Sequence, residues 1–124
     1  PGLPPLGLEG YCPVELVEKR RWVLGTHPWG VIHQGRTYMC AGPEEQKRFL
    51  ANPDRYAPVL SGNDVVLSVE RGMNQPGRRE YGIFYRGQVY LFTDQTTLDA
   101  FRKNPRRYLD AISGAPASET ASRR

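Results

Sequence analysis

Cys12 and Cys40 are the only thiols among 124 residues, so any sulfur chemistry in this chain belongs to that pair. Thiolates are soft donors, and two of them suffice for Cu(I), an ion that accepts low coordination by sulfur. Joined as a disulfide, the same two residues would close a loop of roughly thirty residues and stabilise the fold by ~3 kcal/mol. They also suit a third role, as small buried apolar residues. The other soft-metal donors are His27 and His33. His27 precedes the strand end that carries Cys40 and is the better-placed imidazole. His33 flanks a turn and is expected to face solvent. The candidate metal-site residues are therefore Cys12, Cys40 and His27.

Catalytic chemistry finds little support. A cysteine nucleophile needs an adjacent base, and His33 and Cys40 are predicted at opposite ends of one hairpin, about 13 Å apart at ~3.3 Å per residue. Ser61 and Ser68 lie in a half of the chain that contains no histidine. No Gly-rich phosphate loop precedes a helix; the glycines recur at turn positions instead. The chain is read as non-enzymatic. The net charge of +4 is spread over Arg pairs with Glu and Asp interspersed, a mixed solvated surface that argues against a nucleic-acid face. No apolar run approaches the ~20 residues of a membrane span.

The elements that must position the cysteines occur twice. Residues 8 to 56 align with residues 60 to 108 at a constant offset of 52, without a gap. The offset pairs Gly10 with Gly62, Gly25 with Gly77, Gly35 with Gly87, Tyr38 with Tyr90, Phe49 with Phe101 and Tyr56 with Tyr108. It also pairs Cys12 with Asp64 and Cys40 with Phe92, so one copy carries thiols and the other does not. Within each copy two short strands flank a two-residue turn, Gln34-Gly35 in the first and Arg86-Gly87 in the second, with glycine supplying positive φ. The register places Trp29, Val31, His33, Tyr38 and Cys40 on one face. Replacement of Cys40 by Phe92 makes that face buried.

A helix follows each hairpin. Gly42 caps the first, with Pro43 at its first position and Glu44-Glu45 in its first turn. Asp94 caps the second. Both stop at Asn-Pro, where the residue before proline leaves the α region. Phe49 and Leu50 are expected on the core face of one, Leu98 and Phe101 on that of the other. Half of this chain alone would be only marginally stable, so the halves are expected to share a core. The expected fold is α+β: two tandem hairpin-plus-helix units, packed about a pseudo-twofold axis over one shared core. The organisation reads as a Pro-rich extended segment over 1–7, a cysteine-bearing repeat over 8–58, a cysteine-free repeat over 59–112 and a flexible tail over 113–124.

Three motifs of the first copy, Gly10-Tyr11-Cys12-Pro13-Val14, Gly35 to Gly42 and Phe49 to Tyr56, resemble YHS domains, small modules related to the TRASH metal-binding group. Gly87 to Asp94 and Phe101 to Tyr108 carry the resemblance into the second copy. It implies binding or sensing of a soft metal, copper or else zinc, through Cys12 and Cys40 and nothing in copy two. Where the fuller family pattern has a further cysteine after the strand, Pro43 and Glu44 stand here, which weighs against a closed tetrahedral zinc site. The alternative is a structural or protein-interaction module with a Cys12–Cys40 disulfide and no metal, its Pro-rich start docked on a neighbour or on a second copy. One cysteine pair without a retained leader suits an exported, periplasmic or extracellular protein.

Overall fold

Each half of the chain opens with the same left-handed turn. In the computed structural model, which describes residues 4–113, Leu8, Glu9 and Gly10 have φ of 53°, 53° and 88°, and Leu60, Ser61 and Gly62 repeat them at 54°, 55° and 88°. Non-glycine residues in this region cost about 1–2 kcal/mol each. A strained triplet recurring at the same offset marks one backbone plan used twice.

The rest of the plan follows in matched pairs. Helix α1 spans Pro13–Lys19 and α4 spans Val65–Arg71. Each ends on a left-handed residue, Arg20 and Gly72. Strands β1 (Gly30–His33) and β2 (Arg36–Met39) form the first hairpin, β3 (Arg78–Tyr85) and β4 (Gln88–Phe92) the second. The predicted register holds, with Val31 opposite Tyr38 and His33 opposite Arg36. The turn residues Gln34-Gly35 and Arg86-Gly87 are all left-handed, the twist that a two-residue hairpin requires. Helix α2 (Pro43–Ala51) and helix α5 (Gln95–Lys103) follow. Gly42 and Asp94 stand at their caps, Asp94 accepting from the Thr97 amide at 3.0 Å.

Both of these helices stop at Asn-Pro as expected, Asn52 and Asn104 having φ of −152° and −151°. The chain then turns and becomes helical again, because proline is well suited to a first helical position: α3 spans Pro53–Tyr56 and α6 spans Pro105–Ser113. These helices, and α1 and α4, were not anticipated from the sequence. The class is α+β: among the described residues there are two small antiparallel hairpins and six α-helices. The described part of the Pro-rich start, residues 4–7, lies on the domain as a strap: Leu6 bridges Thr37 in parallel, and the Thr37 amide donates to Pro5 O at 2.9 Å.

The interior has two clusters joined by β4. Cys12, Val14, Leu16, Tyr38, Cys40, Phe49 and Tyr56 make the first, and Val65, Phe92, Leu98, Phe101 and Tyr108 the second. Val89 and Leu91 point from the opposite face of β4 into the first cluster, so the halves share interior. Leu50 is a correction: it is 59% exposed. On α2 only the stripe containing Phe49 meets the core, and one residue on, about 100° round the helix, the side chain faces water.

The junction between halves is one-sided. Phe84 packs against the first cluster beneath the Arg20 guanidinium, 4.0 Å from its ring centroid. The Arg79 guanidinium lies over Tyr11 and Trp22, and its backbone N–H donates to Glu9 Oε2 at 2.7 Å. A strict twofold would bury the counterpart of Phe84 in the same way. That counterpart, Ile32, is 57% exposed. The units therefore repeat one chain path, but the burial of Phe84 has no reciprocal at Ile32.

Candidate functional site

The two thiols are brought together by backbone pairing on both sides. The Cys12 amide donates to Val23 O at 2.7 Å, and the Cys40 amide to Trp29 O at 3.1 Å. Thr26 donates in turn to Cys40 O at 2.9 Å. Cys12 stands at the N-cap of α1, where the first amides have no partner within the helix. Cys40 leaves β2 two residues before the Gly42 cap of α2. Both side chains are free and have no solvent exposure.

Their environments push the two thiols in opposite directions. The Cys40 S–H donates to the Cys12 sulfur, the largest influence on it, and the amides of Glu15, Ala41 and Val14 add to this. Against the opposing effect of burial, they hold Cys12 down to about 6. Cys40 is pushed up, first by that same hydrogen bond, then by burial and by the charges of Cys12 and Glu45. The pair thus favours the negative charge on Cys12 and the proton on Cys40.

The second half shows what this location favours. Asp64, the counterpart of Cys12, is fully buried. Its Oδ1 accepts from the Leu67 amide at 3.1 Å, and its Oδ2 from the Thr93 amide at 2.8 Å, the Thr93 hydroxyl at 3.0 Å and the Thr97 hydroxyl at 2.7 Å. At the offset of 52, Leu67 corresponds to Glu15 and Thr93 to Ala41. Corresponding backbone amides therefore lie beside the side chain in both halves, hydrogen-bonded to a carboxyl in one and close to a sulfur in the other. No cap hydrogen bond of ordinary geometry reaches the sulfur, whereas the carboxylate makes one. Phe92, in place of Cys40, fills the space with a ring 5.3 Å from Phe101.

The histidines are not part of this arrangement. His27 is exposed in a 3₁₀ turn and lines a hollow with Pro28, Gly30, Ile32, Thr37 and Met39, on the hairpin face opposite the sulfurs. The expectation that it joins the cysteines is corrected: Pro28 fixes the turn that directs it outward. His33, expected in solvent, is only 18% exposed at its side chain. It packs edge-on to Phe49 at 5.9 Å and lies 3.3 Å from Asp54 Oδ1. The tight turn folds its ring back over α2.

Two carboxylates near the thiols escaped the sequence reading. Glu15 is buried, and Arg21, donating at 3.0 Å, holds its carboxyl below the usual range, with Glu45 and Lys19 as lesser influences. Glu45 aligns with Thr97, whose hydroxyl touches Asp64; that alignment was the available signal. Among the described residues no group of three or more His, Cys, Asp or Glu side chains is placed to hold a metal ion, so the donor set is the sulfur pair. Comparison of the chain with protein-family models, curated proteins and solved structures finds no match.

Proposed function

We propose that this chain is a non-enzymatic tandem YHS-like protein that binds Cu(I) through Cys12 and Cys40 of its first repeat. The observation that carries the reading is the pair of free, fully buried thiols in contact with each other, Cys12 standing where Asp64 of the other repeat accepts from two backbone amides. A soft monovalent ion bound by two sulfurs fits this donor set. Structural zinc does not, because it takes four ligands and two more are wanting among the described residues. The protein supplies one ready anion, one proton to be released from Cys40, and an enclosure that keeps water from the sulfurs. When bound, the ion acts as a soft Lewis acid. His27 is left outside the proposal.

A thiolate in contact with a thiol is also the arrangement that oxidation closes, which keeps a structural Cys12–Cys40 disulfide as the second reading. Elemental analysis of freshly purified, untagged protein, with thiol counts taken under denaturing conditions with and without reductant, separates the two. Copper in the wild type, together with its absence from a Cys12→Ser, Cys40→Ser double variant, is expected. Equal metal content in both proteins, no titratable thiol before reduction and a lower Tm for the variant would overturn metal binding in favour of the disulfide module.

A further inference from the structure

We propose that the outer edge of β2 is a strand-addition site for an extended peptide of the pattern Pro-Pro-x-Gly, which residues 4–7 of the chain itself occupy as a built-in competitor. This inference stands apart from the copper reading and needs neither metal nor thiol.

One residue of β2 makes the recognition. The Thr37 amide donates to Pro5 O, its carbonyl accepts from the Gly7 amide and its hydroxyl donates to Pro4 O, each at 2.9 Å. The first two are the main-chain bonds by which an extended segment lengthens a sheet from its edge, and the third adds a side-chain bond. Together they define the sequence that fits. Neither proline is asked for an N–H, which proline lacks, and its fixed φ suits an extended segment at a sheet edge. The third side chain, Leu6, is 48% exposed, so that position is permissive. The fourth position demands glycine. Its backbone is ordinary and extended, with φ of −91°, but a Cβ there would overlap Cδ1, Cε1 and Cζ of the Tyr38 ring.

Two observations distinguish this edge from packing that the fold requires. At the offset of 52, Thr37 becomes Val89, which has no hydroxyl, and residues 56–59 stand in place of the strap. Among the described residues no backbone hydrogen bond joins Val89 to Ala57 or Val59. The hairpin-plus-helix plan is thus complete without an added strand, and the first repeat alone is equipped to take one. The strap also closes over a polar group that it does not satisfy. Tyr38 is fully buried, and its hydroxyl has no hydrogen-bond partner among the described residues. The nearby Ser61 hydroxyl donates instead to Gln34 O at 3.1 Å. A hydroxyl buried without a bond opposes closure, so the strap is held less firmly than its three bonds suggest and gives way to a segment supplied in trans.

Fluorescence anisotropy of a labelled, capped peptide of sequence LPPLGL, titrated with the full chain in reductant, tests this. Gly7→Ala drives the chain's own strap off the Tyr38 ring without straining its backbone. It is expected to bind the peptide at least about tenfold more tightly than the wild type, in which the strap competes. Alanine in place of the peptide's glycine should weaken binding at least about tenfold through the same overlap. Thr37→Val added to Gly7→Ala, which copies Val89, should weaken it about fivefold by removing the hydroxyl's bond. Circular dichroism checks that the variants fold. Hydrogen exchange of the wild type gives a reading that depends on no variant: peptide at roughly ten millimolar, above the effective concentration of a short tether, should speed exchange of the Gly7 amide while Thr37 stays protected. A folded Gly7→Ala that binds no peptide overturns the inference, as does equal binding by variant and wild type or indifference to the peptide's glycine. Should Gly7→Ala not fold, unchanged exchange at Gly7 in the wild type overturns it alone.

Discussion

At the scale of single residues, a sulfur and a carboxyl occupy one position in the two halves, beside corresponding backbone amides. Cys12 has an ordinary pKa of 9.0 and is lowered to about 6 in the fold. Its contribution to stability is therefore fully present above the unfolded value and is lost as the pH falls through the folded one. Cys40 is raised, so its contribution has the opposite sign, present below 9.0 and lost as the pH rises past it. Together they predict that the stability difference between the reduced wild type and the Cys12→Ser, Cys40→Ser variant grows from about pH 6 to 9 and shrinks above it. Urea titrations at several pH values measure it, and a flat difference would mean that the thiols do not share a proton. Thiolate absorbance should titrate near 6 in the wild type. In Cys40→Ala, which removes the largest stabilising donor, the midpoint should move upward. On the other side of the duplication, Asp64→Ala strands the buried Thr97 hydroxyl, the half-buried Thr93 hydroxyl and two amides. The expected loss is about 3 kcal/mol, read from the urea midpoint.

At the scale of elements, the duplication was legible and so was much of what it implies. Hairpin register, the turn residues and the caps at Gly42 and Asp94 all follow from local stereochemistry, which short segments express without help from their surroundings. Helices α1 and α4 were missed because their seven residues barely exceed a nucleus, and tertiary packing of Val14, Leu16, Val65 and Val66 supplies what propensity does not. Leu50 was misplaced although the second copy has Arg102 there, a signal of exposure that the duplicate itself offered. The anion-holding amides were illegible because backbone groups leave no mark on side-chain spacing. The glycines at the start of each hairpin report tertiary approach. A Cβ on Gly25 would lie 2.0 Å from Met39 O, and one on Gly77 2.4 Å from the Leu91 carbonyl carbon. No flexible side chain can move aside there. Gly25→Ala is expected to cost about 3 kcal/mol or more, as an overpacked backbone contact does. Gly72→Ala, left-handed but in open space, should cost only ~1 kcal/mol. Comparison of their urea midpoints checks the ranking; equal losses would mean that the strand shifts freely.

At the scale of the molecule, the one-sided junction makes the second repeat a structural part of the first. Leu91 and Val89 complete a cluster that includes Cys12 and Cys40, while Tyr90 and Phe92, alternating with them on β4, build the other. A strand whose two faces serve two cores couples them, and the clasp of Arg79 on Tyr11 and Trp22 adds a charged contact at the rim. Through Val89 and Leu91 the cysteine-free repeat contributes side chains to the cluster that contains the sulfurs. Both tryptophans, Trp22 and Trp29, lie in the first repeat, so their fluorescence follows that repeat alone, while far-ultraviolet circular dichroism follows both. Leu91→Ala removes methyl groups from a fully packed site and should destabilise by about 3 kcal/mol. Because β4 joins the clusters, that loss is expected to move the fluorescence and dichroism midpoints together, although the substitution lies in the repeat that contains no tryptophan. Two separated transitions, with the tryptophan signal unmoved by Leu91→Ala, would show the repeats to be independent and remove the second from any part in shaping the thiol site.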